Sequence, residues 1–70
     1  MKKKVKPIPL ASLRSAKGLS QKAFAKEIHV STSLIGMYES GKRKPSLKNA
    51  LKIANYFNVP VENISFENAK

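Results

Sequence analysis

The chain has no cysteine, no aspartate and no tryptophan, and only one histidine and four acidic residues among 70. Without cysteine it can form neither a disulfide nor a thiolate metal site, a composition that fits a cytoplasmic protein. One histidine, His29, and four scattered glutamates cannot assemble a metal-ligating cluster or a nucleophile–base pair. There is no glycine-rich phosphate loop. The expectation is therefore a protein that is not an enzyme, with no cofactor and no evident small-molecule ligand. Long apolar runs are missing too. Nothing approaches the ~20 residues of a membrane helix. MKKK resembles the basic start of a signal peptide, but the following VKPIPL is short and broken by Lys6, so no membrane association is expected.

What the chain has in excess is positive charge. Fourteen Lys and Arg against four acids give a formal net charge of +10. Such a balance points to a polyanionic partner, nucleic acid first. The charges are clustered. Residues 1–8 read as a basic arm, with Lys2, Lys3, Lys4 and Lys6 repelling one another and prolines 7 and 9 preventing an early helix. Lys42, Arg43 and Lys44 form a second cluster in a loop. Seventy residues make one domain, near the lower limit for a self-supporting core.

The stretch from Ser20 to Gly41 organises the rest. Its spacing predicts a helix over 21–28, a turn at His29-Val30-Ser31 and a second helix over 32–40. Ser20 and Ser31 are N-cap candidates, and Gly41 suits the left-handed position that closes a helix. On the second helix Leu34, Ile35, Tyr38 and Glu39 gather on one side, which should face a core. Thr32, Ser33, Gly36, Met37 and Ser40 gather on the other. That outward face carries no charge. Short hydroxyls and methyls suit close approach to base edges in a major groove.

Elsewhere the pattern predicts a first helix from about Pro9 to Lys17-Gly18. A fourth runs over 47–57, with Leu47, Ala50, Leu51, Ala54 and Phe57 as its apolar repeat, and Asn58 is its left-handed cap. Val59, Pro60, Val61 and Ile64 suggest a short fifth helix. The expected organisation is a basic N-terminal arm over 1–8, an all-α domain of about five short helices over 9–66, and a tail over 67–70. Ile64 and Phe66 are the apolar residues offered as a dimer contact.

The run LRSAKGLSQKAFAKEIHVSTSLIGMYESGKRKPS followed by LKIANYFNVPVENI resembles the lambda-repressor/Cro-type helix-turn-helix family. The shared features are Leu-Arg, Gly-Leu-Ser-Gln, an alanine on the second helix, Val-Ser at the turn, Glu-x-Gly at the end of the third helix and Pro-Ser before the fourth. The resemblance spans about residues 10 to 65. One departure is His29, where the family usually has a glycine; a histidine there is expected at positive φ. The resemblance implies that Thr32, Ser33 and Met37 face base edges. It also implies that Gln21 and Ser40 contact phosphates near the two ends of the motif, with Gln21 able to support base readout. Ser40 replaces the family's common asparagine. The resemblance further implies that Arg14 pairs with Glu39, which agrees with a carboxylate on an apolar face needing a cation.

The reading is a sequence-specific regulator of transcription that binds double-stranded DNA, repressor-like, with residues 32–40 in the major groove. Gly36 belongs to the base-facing set, and Lys42, Arg43 and Lys44 are assigned to phosphates. A homodimer is expected, because one helix reads too few base pairs. Two alternatives stand beside it: the antitoxin of a toxin–antitoxin pair, binding DNA and a protein, and a protein-interaction module on the same fold that no longer binds DNA.

Overall fold

The computed structural model describes residues 6–66. Four helices follow one another: α1 (Leu10–Ala16), α2 (Gln21–Ile28), α3 (Thr32–Ser40) and α4 (Leu47–Phe57). A single 3-10 turn, Val61–Asn63, follows. Two short strands, β1 (Ile8–Pro9) and β2 (Ile64–Ser65), pair in parallel with Ile8 opposite Ile64. The architecture is all-α apart from that one pairing.

The helix boundaries follow from local chemistry. Ser20, Ser31 and Ser46 are extended, and each side-chain oxygen accepts from the backbone N–H three residues on: Ala23, Leu34 and Asn49, at 3.0, 3.1 and 3.2 Å. Each satisfies a donor that the first helical turn leaves free. α2, α3 and α4 end at a left-handed residue, His29, Gly41 and Asn58, and α1 reaches one, Gly18, after Lys17. The N–H of the next residue then reaches back to a carbonyl of the last turn, as Val30 does to Ala25 at 3.0 Å and Val59 to Ala54 at 3.1 Å. His29 takes this conformation at φ 59° although it carries a side chain.

Phe24, Leu10, Ile35 and Ile53 are the largest fully buried side chains, one from each helix. Tyr56 and Phe57 stack around Phe24, with ring centroids 5.4 and 5.2 Å away. Tyr38 is buried and accepts a hydrogen bond from the Asn49 amide at 2.9 Å, tying α3 to α4.

Three expectations change. The fifth helix is only the 3-10 turn. Pro60 holds extended backbone before it, and Ile64 is extended again to pair with Ile8, so three residues lie between. Ile8 therefore belongs to the domain rather than the arm. It stands between two prolines at the edge of the pairing, where a missing N–H costs nothing. The rest of the arm divides: residues 1–5 and the tail 67–70 lie outside the described residues, and Lys6 and Pro7 are exposed. The third change is on α4, whose buried face is Ala50, Ile53 and Ala54. At about 100° per residue Leu47 and Leu51 fall beside that arc. They are 74% and 45% exposed.

Replacing His29 by glycine should stabilise the fold by about 1 kcal/mol, since a side chain in the left-handed region costs roughly 1–2 kcal/mol and glycine gives part back as unfolded-chain entropy. Urea titration of the two proteins checks it. In a chain this size the gain should raise Tm by about 4–8 °C.

Candidate nucleic-acid interface

α2 and α3 pack through their buried faces, Phe24, Ala25 and Ile28 against Ile35 and Tyr38. The other side of α3 is thereby turned outward. Thr32 and Ser33 are exposed at its start, and Gly36, Met37 and Ser40 are half-buried along it. The five thus share one surface, with Lys42, Arg43 and Lys44 exposed where the chain leaves the helix. Lys48, on the first turn of α4, is also exposed and extends the cationic edge. It was absent from the sequence-based set, and its closeness to the loop is the only signal the sequence holds. Between residues 28 and 61 the only acid is Glu39.

That acid does not oppose the surrounding cations, because it is already paired. Arg14 Nε donates to Glu39 Oε2 at 2.6 Å and Arg14 Nη2 to Oε1 at 3.1 Å, a two-pronged contact with the side chains 16% and 8% exposed. Arg14 Nη1 also donates to the Leu19 carbonyl at 2.7 Å. The structure thus brings residues 14 and 39 together and adds a clamp on the loop entering α2. The hydrogen bond to Glu39 raises the Arg14 pKa above its ordinary value, partial burial works against it, and the carboxylate charge adds to the rise. A raised folded value means that the stabilisation is complete below the ordinary arginine range. It is lost only as pH rises through the folded value in strong alkali, so the Arg14 contribution is flat around neutrality.

Gln21 opens α2, and its Nε2 donates to Glu39 Oε1 at 2.9 Å. Sequence reasoning missed this bond, which depends on how α2 and α3 cross. Ser40 differs from expectation in a second way. Its hydroxyl donates to the Met37 carbonyl at 3.2 Å. A phosphate offers only acceptors, so Ser40 must give up that bond to reach one.

A family model described as helix-turn-helix matches residues 10–64. The chain belongs to the lambda-repressor/Cro-type helix-turn-helix family. It is 45% identical over 51 residues to an uncharacterised helix-turn-helix-type transcriptional regulator of Methanocaldococcus jannaschii, covering 73% of this chain and 77% of that protein. A second uncharacterised regulator of that type, from Archaeoglobus fulgidus, is 38% identical over 55 residues, covering 79% and 78%. A helix-turn-helix-type transcriptional activator of Enterococcus faecalis is 33% identical over 55 residues, but the match spans only 27% of that longer protein. Within the family motif α2 and α3 are the two helices, and the turn is His29–Ser31. Among the described residues no helix is long and apolar enough to cross a membrane.

Arg14→Met should destabilise the domain by about 3 kcal/mol, because it strands Glu39 in a mostly buried position. Arg14→Lys should recover only part of that, since an ammonium cannot hold both carboxylate oxygens and the Leu19 carbonyl in one plane. Urea denaturation of both variants at neutral pH measures the difference.

Proposed function

We propose that this protein is a sequence-specific, double-stranded DNA-binding regulator of transcription that acts by occupying its site, in the manner of a repressor. α3 lies in the major groove with Thr32, Ser33, Gly36 and Met37 toward base edges. Lys42, Arg43 and Lys44 hold phosphates where the chain leaves the groove, and Gln21 and Ser40 stand at the two ends of the motif. The observation that carries this reading is the uncharged outward face of α3, bordered by exposed cations, while the one acid of the helix lies on its inner side and is neutralised by Arg14. Family membership and the names of the relatives support it. No reaction is assigned to the chain, and it works where DNA is, in the cytoplasm.

The test is a mobility-shift titration against excess random duplex, using sites selected from a random pool. A regulator keeps a preferred site under the competitor, whereas a protein held by charge alone loses it. Replacing any one of Lys42, Arg43 or Lys44 by alanine should lower specific and non-specific affinity alike. Each should also reduce the slope of log affinity against log salt by about 0.9. A changed sequence preference with an unchanged slope would contradict the phosphate assignment.

The regulator binds as a homodimer, its two α3 helices about 34 Å apart, one turn of duplex. The contact expected at Ile64 and Phe66 is poorly placed. Ile64 is buried and paired with Ile8, and Phe66 packs edge-on against Tyr38, centroids 6.4 Å apart. Leu47 and Leu51, one turn apart on α4 and directly after the cationic loop, are the better-placed surface. Two leucines fall far short of the ~1,200 Å² of a stable interface. A charge of +10 also opposes association in free solution. The second copy therefore joins on DNA, where adjoining half-sites raise its effective concentration. The Leu47→Ser, Leu51→Ser double variant should lose cooperative binding to a paired site while binding a single half-site as before. Gel-shift titrations on the two duplexes measure this.

A further inference from the structure

We infer that Gln21, although it belongs to α2, is the residue that reads an adenine through the gap left by Gly36 on α3. The inference rests on the proposed major-groove placement of α3 and goes beyond it by moving Gln21 from phosphate to base. A Cβ built on Gly36 would lie 3.8 Å from Gln21 Oε1 and 4.0 Å from Nε2. Those are contact distances, so the carboxamide borders the space into which a side chain at position 36 would grow. Thr32 and Ser40 lie one turn either side of Gly36, so the amide joins the outward face of α3.

The orientation of that amide is set by chemistry. The Glu39 carboxylate only accepts, so the Nε2 end must face it, and the carboxylate is itself gripped by Arg14 at 2.6 and 3.1 Å. One N–H is thereby used. The other N–H and the whole carbonyl remain. No donor among the described residues reaches Oε1, and every buried side-chain oxygen has a partner, so this oxygen meets solvent. A free donor and acceptor on one planar amide match the N7 acceptor and N6 donor of adenine. The exposed hydroxyls of Thr32 and Ser33 and the Met37 thioether cannot make a two-bond contact of that kind. Gln21 is then the main specificity-determining side chain of the surface, and Arg14 and Glu39 are positioning residues behind it.

The experiment selects bound duplexes from a random pool with the parent protein, with Gln21→Ala and with Gly36→Leu, circular dichroism confirming that each is folded. The parent should fix one A·T pair per half-site that Gln21→Ala loses while the rest of the motif persists, and Gly36→Leu, whose side chain stands between α3 and the bases, should select no motif. Placing 7-deazaadenine at that position removes N7. It should weaken the parent roughly tenfold or more, the scale of a two-bond base contact, and leave Gln21→Ala unaffected. A Gln21→Ala variant that weakens all duplexes equally and keeps the full motif would make the residue a phosphate ligand and overturn the assignment alone. So would a Gly36→Leu variant that keeps the motif intact. A parent pool with no motif overturns the regulator reading and this assignment with it.

Discussion

The contact between Arg14 and Glu39 is the constraint on which the arrangement of the motif depends. A carboxylate on the inner side of α3 would be intolerable alone, because desolvating a charge without a partner costs several kcal/mol. Arg14 answers it with two parallel bonds and spends its remaining nitrogen on the Leu19 carbonyl. One guanidinium thus ties α1, the loop before α2 and the end of α3. Gln21 rests on the same carboxylate. The pair also removes the one negative charge between residues 28 and 61, so its role in packing and its role in the surface potential are the same physical fact.

Much of this was legible in the sequence because it is local. Serine before each of the last three helices, and a left-handed residue after every helix, mark the ends through hydrogen bonds spanning three to five residues. Such bonds depend on residue type and spacing, both visible in a string of letters. The outward face of α3 was legible for the same reason, since helical periodicity alone sorts Thr32, Ser33 and Gly36 from Ile35 and Tyr38. The αL histidine could be anticipated from the resemblance, because the family usually has a glycine at that position.

What escaped depends on long-range geometry. The pairing of Ile8 with Ile64 joins the two ends of the domain, and neither dipeptide carries a strand signal of its own. It also explains why the fifth helix stops after one turn. On α4 the periodicity was read correctly as helical, and Ala50, Ala54 and Phe57 do face the core, but the arc took in Leu47 and Leu51 and left out Ile53, because Leu47, Ala50, Leu51 and Ala54 fit a helical repeat as well as Ala50, Ile53 and Ala54 do. Only the position of Phe24 and its neighbours decides which arc faces inward. The bond from Gln21 to Glu39 crosses two helices in the same way. Leucines that a sequence places in the core and a structure leaves in water need a partner or carry a solubility cost.

The balance between affinity and selectivity then follows from where the charges sit. Exposed cations raise affinity for every duplex by the same factor, so Lys42, Arg43, Lys44 and Lys48 cannot by themselves distinguish one site from another. On the proposed reading, discrimination has to come from a face that holds no charge, and hydroxyls that both donate and accept distinguish bases poorly. Adding cations would worsen the ratio of specific to non-specific binding, and lengthening the side chains of α3 would push the helix out of the groove. A glycine on the reading helix with a glutamine standing behind it escapes both limits. On that reading the backbone would stay close to the bases, and the discriminating group would arrive from a neighbouring helix, held there by its bond to a carboxylate that Arg14 grips.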